Sequence, residues 1–538
     1  MNVAFDPWIP VVTPRGDRKL ISLCSVFAEG EMFLDLAVRP HERVSLMRLF
    51  ICVAHAALDG PRNYPEWLET PTRLPDTAKN YLKQWNERNS FDLFHKDKPW
   101  MQVKGLKGTK SDAKTSPVAL LDPELATGNN TTLFDHQGAR SARVIDPARL
   151  ALNLLTFQNF SSGGGSPVAQ WNNKTTKQVG NPDAPCLSQS MNHCLLRGKN
   201  LFETIHWNLP SYDNLSSTYR MFSINKKSKQ YDFLLTDLGK PVWEYFPSSP
   251  DDLAAILNAT KTYLGRLVPV SRWIRLIANT DQMYCCNGFK YDTYKDGFPA
   301  EPTAAVRLVK RKDKKGNETI ERRVVSGSPE KATWRELSSL LTKRAADGLG
   351  GPLAMVNSPH DEAYDFQVCA MARDQASMDI ATESVFHVSP ALQTNLPIYS
   401  AEVEEAERLS WRLRSSIETY RATIDTDWMP RVNRTQARDQ AKLRNRLAQS
   451  ALLFYWTRVE SNLSFLMNHI SAIGTDSAIP THDAWRRMLF VAACEAYRAA
   501  CGQETPRQVR AFTKGWQRLT GKQNESTEDT SPIKEDEE

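Results

Sequence analysis

The chain has 538 residues, of which 41% are hydrophobic and 24% are charged, and its formal net charge is +6. That length exceeds what one hydrophobic core usually organises, and the 14 Trp and 21 Phe residues exclude a disordered chain. The sequence begins without a basic and apolar leader and has no uninterrupted apolar stretch of about 18 residues, so it predicts a cytoplasmic protein with no membrane partner.

The net charge is unevenly distributed along the chain. Residues 525–538 hold seven acidic residues and one lysine, so residues 1–524 carry a formal charge of +12. A basic folded body with a separate acidic tail suits nucleic acid as a partner, although many proteins of similar charge bind none. The nine cysteines are scattered without a C-x-x-C pair, which indicates reduced thiols and predicts neither a metal site nor another cofactor.

Residues 1–395 mix short alternating segments with helical ones, and no long internal repeat is present. Apolar spacing predicts helices at 44–58 and 147–158, and a run rich in β-branched residues predicts a buried strand at 266–278. A further helix, closed by glycine, is expected at 332–351. These residues are therefore predicted to form a large, irregular α+β domain.

A polar insert at 372–377 lies between two runs that alternate apolar and polar residues. Such alternation predicts the two strands of a β-hairpin, and the insert lacks the Asn-Gly or Asp-Gly pair of a tight turn. The insert is therefore predicted to be a presented loop, with Arg373, Asp374 and Gln375 at its tip.

From about residue 400 the sequence changes to four helix-forming blocks with few glycines, at 400–425, 434–470, 481–501 and 506–521. Short connections with turn or capping residues favour an antiparallel four-helix bundle. The predicted organisation is therefore an α+β domain at 1–395, a four-helix bundle at 396–522 and a disordered acidic tail at 523–538.

Three basic elements could contact a phosphate backbone, which requires point charges rather than exact geometry. A predicted hairpin at 304–325 has a basic outer half with Arg307, Lys310, Arg311, Lys312, Lys314 and Lys315, of which Lys310, Lys312 and Lys314 are the candidates for DNA contact. Two predicted helices repeat basic residues every three or four positions: Arg434, Arg438, Lys442 and Arg446 in one, and Arg507, Arg510, Lys514 and Arg518 in the other. A solvated helix face and a merely soluble hairpin tip are the alternatives.

Three consecutive glycines occur at Gly163, Gly164 and Gly165. No Lys-Ser or Lys-Thr pair follows them, so a Walker A phosphate loop is excluded. Without side chains, their backbone groups could approach a ligand or a narrow groove closely. A flexible linker is the alternative interpretation.

Catalytic signatures are weak. His360-Asp361 and His482-Asp483 are His-Asp pairs, but the further His and Asp ligands of a metal-dependent phosphohydrolase are not evident. We therefore predict no catalytic residues and no enzyme. A metal-dependent nuclease or phosphohydrolase using His360 and Asp361 stays an alternative, and a stand-alone basic DNA-binding module is another.

Several segments together resemble the CasA family, the large subunit of the type I-E CRISPR Cascade complex. The segments that carry the resemblance are FDPWIPVV at the start, FDLFHKDKPWMQVKG (91–105), GKNLFETIHWNL (198–209) and KPVWEY (240–245). LFDHQ (133–137), the glycine loop and RDQAS (373–377) follow the order of the family. The similarity spans most of the chain, and the helical C-terminal part matches the family's four-helix bundle.

The resemblance implies a non-catalytic recognition subunit. Its expected partners are the other Cascade subunits with their bound CRISPR RNA, double-stranded target DNA and a helicase-nuclease effector. Such a subunit would read the short protospacer-adjacent motif and help to open the duplex, while the guide RNA reads the rest of the target.

The resemblance also implies roles for individual residues. Gln375 matches a glutamine wedge at a hairpin tip, Asp374 stands where a family member has Asn, and Arg373 precedes both. The Asp374 carboxylate could accept a hydrogen bond from a base or from Arg373, so its role is open. A glutamine wedge would unstack base pairs at a cost of a few kcal/mol, offset by contacts to the opened duplex.

Two further groups are implied by the same resemblance. The glycine loop matches a loop that approaches the minor groove, and a lysine enters that groove from a segment resembling 288–298. Direct alignment puts Thr293 at the lysine position, so Lys290 and Lys295 are equal candidates. The loop near the 5′ end of the guide RNA would be matched by Phe134, Asp135 and His136, with a core role as the alternative for Phe134.

Overall fold

The structure is a computed structural model that describes residues 1–108, 115–125, 145–165, 167–176, 180, 182–220, 238–312, 318–328, 331–345, 348–374, 377–424 and 434–521. Side chains are described in these ranges except at 217–220, 311–312, 373–374, 377–380 and 434–445. The chain divides into two compact units, Met1–Ser389 and Pro390–Glu538. The first unit mixes helices and strands and the second is helical, which confirms the predicted fold class.

The described helices of the first unit surround a core in which α2 is buried along most of its length. Their bounds are α1 Leu23–Ala28, α2 Pro40–Leu58, α3 Tyr64–Glu87, α4 Pro147–Phe160, α5 Leu201–Trp207, α6 Tyr212–Arg220, α7 Leu253–Lys261, α8 Tyr263–Leu267 and α9 Leu337–Leu341. The predicted helices at 44–58 and 147–158 are therefore confirmed as α2 and α4. Both begin at a proline that follows a capping residue, Arg39 for α2 and Asp146 for α4.

The described strands form small antiparallel sheets with the orders β2-β1-β3, β4-β6-β7, β5-β10-β9, β14-β13-β8 and β11-β12. Their bounds are β1 Ile9–Val12, β2 Arg18–Ile21, β3 Asp35–Leu36, β4 Lys107–Gly108, β5 Ser116–Pro117, β6 Ala169–Trp171, β7 Lys174–Thr175, β8 His193–Arg197, β9 Arg272–Leu276, β10 Gln282–Asn287, β11 Val306–Lys312, β12 Glu318–Val324, β13 Tyr364–Asp374 and β14 Ser377–Val388. Both predicted hairpins are confirmed. The strand predicted at 266–278 is wrong in length, because β9 covers only Arg272–Leu276 and the start of the run belongs to α8, which the Thr262 side chain caps.

A buried ion-pair cluster links α2 to two later segments of the first unit. Nη1 of Arg48 lies 2.8 Å from Oε2 of Glu301, and Nη2 of Arg266 lies 2.6 Å from Oε1 of the same carboxylate. Burial raises the pKa of Glu301, but the two guanidinium groups outweigh it and hold this pKa at about 2. The carboxylate is therefore ionised in the core at neutral pH.

The helix predicted at 332–351 is wrong in length, because α9 ends at Leu341. Beyond it the chain turns back, and Gly350 exchanges two backbone hydrogen bonds of 2.8 Å with Val306 at the start of β11. A Cβ on Gly351 would lie 2.1 Å from the carbonyl oxygen of Leu340, so this return requires glycine. Strand pairing therefore replaces the helix that residue propensity favours.

The second unit contains α10 Pro390–Thr394, α11 Leu396–Ile424, α12 Arg434–Glu460, α13 Leu463–Ala472, α14 Ala478–Ala500 and α15 Pro506–Thr520. Two hydrogen bonds give the relative direction of α11 and α15. Nε of Arg412, nearer the start of α11, donates to the carbonyl oxygen of Arg518 near the end of α15. The Tyr420 hydroxyl, nearer the end of α11, donates to the carbonyl oxygen of Gly502 just before α15. The two helices are therefore antiparallel, as in the predicted bundle. Among the described residues, no helix has the length and apolar character needed to cross a membrane.

The single helix predicted at 434–470 is wrong, because the structure divides it into α12 and α13. At the break, the Ser461 hydroxyl donates to Thr457 O, and Nδ2 of Asn462 donates to Arg458 O, each at 2.8 Å. Side chains that bind the preceding turn in this way compete with helix continuation.

Candidate nucleic-acid interface

The hairpin predicted to carry the wedge has a shorter loop than the sequence predicts. Strands β13 and β14 stay paired up to Asp374 and Ser377. The predicted loop at 372–377 is therefore wrong in length, because Arg373 and Asp374 belong to the strand ladder. A register shift immediately before Arg373 breaks the simple alternation, which hid these last pairs from the sequence pattern. Gln375 follows the end of β13.

The base of this hairpin is fixed in the first unit. β13 is the central strand of the β14-β13-β8 sheet. Cys369 and Met371 of β13 share a buried cluster with Phe160, the last residue of α4. Arg43 of α2 also lies near β14, with its Nε 3.3 Å from Oε1 of Glu383. The hairpin and the carboxyl end of α4 are therefore packed on the same core.

The glycine loop follows α4 directly and is anchored at its first glycine. The backbone N–H of Gly163 donates to Oδ1 of Asp183 at 2.7 Å, which favours an anchored loop over a flexible linker at this residue. Gly164 has a φ of 147°, which L side chains rarely adopt. Gly164 and Gly165 are exposed, and among the described residues no heavy atom lies within 4 Å of an added Cβ on either. Their backbone is therefore open to close approach by a ligand.

Arg272, the first residue of β9, holds the chain on both sides of this loop. It is 3% exposed, and its Nη2 donates to the carbonyl oxygens of Ser162 at 2.7 Å and Pro182 at 3.2 Å. Burial lowers the pKa of its guanidinium below the ordinary value. Arg272 was not predicted from the sequence; the available signal was a charged residue within an apolar strand pattern, which requires hydrogen-bond partners when buried.

Gln158 of α4 binds Arg272 through the backbone. Its Nε2 donates to the Arg272 carbonyl oxygen at 2.8 Å, and the Arg272 N–H donates to its Oε1 at 2.9 Å. The hydroxyl of Ser271 donates to the Gln158 carbonyl oxygen at 2.6 Å. We call Gln158, Phe160 and Arg272 the loop support, because they connect the glycine loop to the hairpin core and to β9.

The lysine-bearing segment starts at Gly288, against the same end of β9. A Cβ on Gly288 would lie 2.5 Å from the first backbone nitrogen of β9, so a larger residue would displace the segment. Lys290 and Lys295 are both exposed. Thr293 caps the turn that follows it, and its hydroxyl donates to Oδ2 of Asp296 at 3.0 Å. The structure therefore brings both lysine candidates to one segment beside the loop support, and the choice between them stays open.

The basic hairpin β11-β12 presents part of its predicted charge to solvent. Lys310 is exposed, whereas Arg307 forms an ion pair with the buried carboxylate of Glu336 and is half-buried. Arg307 is therefore held by the protein itself, which leaves the outer lysines as the candidates for a phosphate backbone.

Residues at four-position spacing lie near one face of a helix, and α12 contains the predicted basic stripe. Its last member, Arg446, is exposed. The second basic set lies on α15 and is also exposed: Arg507, Arg510, Lys514 and Arg518.

Five predicted site residues lie outside the described part of the chain, and their roles stay predictions. These residues are Gln375, Lys314, Phe134, Asp135 and His136. For six more, the structure describes the backbone alone: Arg373, Asp374, Lys312, Arg434, Arg438 and Lys442.

The alternative nuclease site receives no further ligands in the described part of the molecule. His360 and Asp361 are exposed, and Nε2 of His360 lies 3.0 Å from Nζ of Lys343. Among the described residues, neither His360 nor Asp361 belongs to a group of three side chains able to hold a metal ion. An ammonium beside the imidazole also opposes cation binding there.

Solved structures with this fold cover nearly the whole chain. CasA of Thermus thermophilus matches 97% of this chain and 98% of its own, with a TM-score of 0.68 and 21% identity. The match to Cse1 of Thermobifida fusca covers 97% of this chain and 98% of that protein, with a TM-score of 0.68 and 20% identity. A chain of a CRISPR RNA-guided surveillance complex matches 97% and 99%, with a TM-score of 0.69 and 16% identity. The fold is therefore that of CasA/Cse1 proteins.

Sequence comparison gives the family itself. The CRISPR-associated protein CasA/Cse1 of Thermus thermophilus is 26% identical over 527 residues, which cover 93% of this chain and 92% of that protein. The family model of CRISPR-associated protein Cse1 matches residues 2–496. This chain belongs to the Cse1 family, which confirms the resemblance found in its sequence.

Proposed function

We propose that this protein is a subunit of an RNA-guided CRISPR surveillance complex and recognises a short motif beside the target in double-stranded DNA. The observation that carries the proposal is the convergence of three segments on one core. The glycine loop, the lysine-bearing segment and the base of the β13-β14 hairpin are all connected through the loop support. Their order and residue types resemble the motif-reading segments of the CasA family.

Each segment has a property suited to duplex DNA. The exposed glycine backbone suits a narrow minor groove, where base pairs present few distinguishing groups and several motifs are tolerated. Lys290 or Lys295 would add a cation to the same groove. Gln375 would insert at the end of the motif and start duplex opening, after which guide RNA pairs with the target strand.

The remaining predicted residues would hold DNA and partner subunits. Basic residues of α12 and β11-β12 would contact phosphates, while Phe134, Asp135 and His136 would dock near the 5′ end of the guide RNA. We further propose that the protein is non-catalytic, acts in the cytoplasm and helps to recruit a separate helicase-nuclease. Isolated DNA incubated with this chain and Mg²⁺ or Mn²⁺ is therefore expected to stay intact.

The test of recognition is a binding assay with the reconstituted complex and a library in which the bases flanking the target are randomised. We expect a small set of flanking motifs to be enriched at constant target sequence. Uniform recovery of all flanks would contradict the proposal and favour a basic module without motif recognition. DNA cleavage that His360→Ala abolishes would instead favour the nuclease alternative.

The wedge is tested separately by Gln375→Ala. This variant is expected to retain non-specific duplex binding but to open the duplex at least about tenfold more slowly, because the unstacked step loses its inserted side chain. Opening is followed by the fluorescence of 2-aminopurine placed next to the motif. Gln503→Ala, at an exposed position between α14 and α15, is the matched control. Equal loss of opening and of non-specific binding would contradict the wedge assignment.

Asp374→Asn tests the open role of the residue before the wedge. If the carboxylate accepts a hydrogen bond from a base amino group, the amide keeps an acceptor and changes the set of preferred motifs. If the carboxylate positions Arg373, the variant and Arg373→Ala are expected to reduce motif-dependent binding to a similar extent without changing the preferred bases.

A further inference from the structure

Three side chains capable of binding a metal ion meet in the helical second unit. Glu402 lies on α11, His469 on α13 and His482 at the start of α14. One ligand atom from each side chain can be chosen so that all three atoms lie within 4.8 Å of one another. Among the described residues, no other group of three or more His, Cys, Asp or Glu side chains has ligand atoms this close together.

The distances are close to those of a tetrahedral site. Nε2 of His482 lies 3.2 Å from Oε1 of Glu402, and the imidazole rings of His469 and His482 are stacked with centroids 4.8 Å apart. Ligand atoms about 2.1 Å from a tetrahedral Zn²⁺ are about 3.4 Å from one another. The Glu–His edge therefore already has the required length, and small side-chain rotations would bring in the third ligand.

A second observation points to a missing ligand at the same place. Glu402 is 9% exposed, and its other carboxylate oxygen, Oε2, is buried without a hydrogen-bond partner in the described structure. Buried polar atoms are nearly always hydrogen-bonded, and a carboxylate oxygen without a partner is costly. A cation bound between Glu402 and the two histidines would compensate this oxygen.

The surroundings also suit a metal site. Oγ1 of Thr481 lies 3.5 Å from Nδ1 of His469 and donates to the carbonyl oxygen of Ser477 at 2.7 Å. An oxygen there can accept a hydrogen bond from the Nδ1–H group and orient the ring, the role that neighbours of metal-binding histidines commonly have. The His482 side chain is 36% exposed, so an ion can enter from solvent.

We propose that Glu402, His469 and His482 form a binding site for one first-row transition-metal dication of the Zn²⁺ class. Two imidazoles and a carboxylate suit this class, and water would complete four ligands. The ion would connect α11, α13 and α14, and would hold the short helix α13 against both neighbours. The site shares no residue with the proposed DNA interface and does not depend on the proposed function.

The test uses the full-length chain without an affinity tag, freed of metal by a chelator and titrated with Co²⁺ as a spectroscopic probe. We expect one Co²⁺ per chain with visible absorption bands of a four-coordinate site, competition by Zn²⁺, and a rise in melting temperature with Zn²⁺. His482→Ala is expected to weaken Co²⁺ binding by more than about a hundredfold, and Glu402→Gln by at least about tenfold.

His387→Ala is the matched control, because His387 is an exposed histidine of the first unit that contacts only one carboxylate in the described structure, Asp365. Since His482 is partly exposed, its replacement is not expected to unfold the unit, and circular dichroism checks this. Unchanged Co²⁺ binding in both His482→Ala and His469→Ala, or no binding by the unmodified chain, would overturn the proposal. Either result leaves motif recognition by the DNA interface untouched.

Discussion

Arg272→Lys is the substitution that most directly tests the loop support. The variant keeps a positive charge at a buried position but replaces a planar group of five donors with a single ammonium. Nη1 and Nη2 of Arg272 together donate to the carbonyl oxygens of Ser162, Pro182 and Ser271. One lysine nitrogen cannot reach all three oxygens, so the chain on both sides of the glycine loop loses attachment.

The structure gives the size of the effect. Hydrogen bonds from a charged donor contribute about 1.5–3 kcal/mol each, and the bond to Ser162 at 2.7 Å is shorter than that to Pro182 at 3.2 Å. Counting the first near the middle of this range, at about 2 kcal/mol, and the second at about half of that, the loss is on the order of 3 kcal/mol. Because each 1.4 kcal/mol is a factor of ten, opening of the loop should become about a hundredfold more favourable.

Hydrogen exchange measures this opening at one backbone group. The N–H of Gly163 donates to the Asp183 carboxylate, so it exchanges only when the loop leaves its anchor. We expect exchange at Gly163 to accelerate about a hundredfold and motif-dependent DNA binding to fall, while non-specific binding is unchanged. Arg275→Lys is the control, since Arg275 lies on the same strand with an exposed side chain.

Two outcomes would refute this reasoning. Unchanged exchange at Gly163 would mean that Arg272 does not hold the loop. Faster exchange with unchanged motif preference would mean that the loop is held as described but does not read the motif, so the support and its proposed function can fail independently.

Two further predictions concern acid stability and salt dependence. The pKa of Glu301 is about 2 in the folded protein and about 4.5 when unperturbed. Its ionised carboxylate therefore contributes fully to the free energy of unfolding above pH 4.5, and this contribution is lost as pH falls toward 2. The free energy of unfolding of the unmodified chain, measured with urea, should fall by on the order of 3 kcal/mol over that range. Glu301→Gln should have a lower free energy of unfolding at pH 7 but a smaller decrease on acidification. Parallel pH profiles of the two chains would contradict this. Reversing the charges of Arg434, Arg438 and Lys442 should reduce the slope of the logarithm of the DNA-binding constant against the logarithm of salt concentration by up to about 3. The same change at Arg73, Lys79 and Lys83 on α3 should leave this slope unchanged. An unchanged slope in the α12 variant would indicate that the α12 stripe is a solvated face.

Periodicity predicted those elements whose side chains alternate or repeat without interruption. The apolar positions of α2 and α4 and the alternation of β13 and β14 identified helix and strand correctly. The prediction failed where side chains or distant strands compete for backbone groups. Asn462 ends α12 by binding the preceding turn, and Gly350 pairs with Val306 instead of continuing a helix. Neither competition is visible in a window of neighbouring residues.

The residues of the candidate interface were likewise identified only where the signal is local in the sequence. Residues at the proposed contact surface were identified by resemblance, because glycine runs and hairpin tips are local features. Arg272 and Gln158 were missed, because they are 114 residues apart in the sequence and Ser162 is 110 residues from Arg272. The proposed metal-binding group was missed for the same reason: the sequence paired His482 with the adjacent Asp483, whereas the structure pairs it with Glu402, eighty residues earlier.

Substitutions at the exposed contact residues and at the buried loop support are expected to have different effects. Gly165, Lys290 and Lys295 are exposed, so substitutions there alter the proposed contact surface with little effect on the free energy of unfolding, whereas a side chain at Gly164 would be strained by its φ of 147°. The loop support is buried and hydrogen-bonded, so substitutions there change the position of the loop and destabilise the fold together. Motif preference can therefore vary among related chains through the exposed residues while the loop support stays the same, and the identity of Gln158 and Arg272 predicts whether a relative holds its glycine loop in this way.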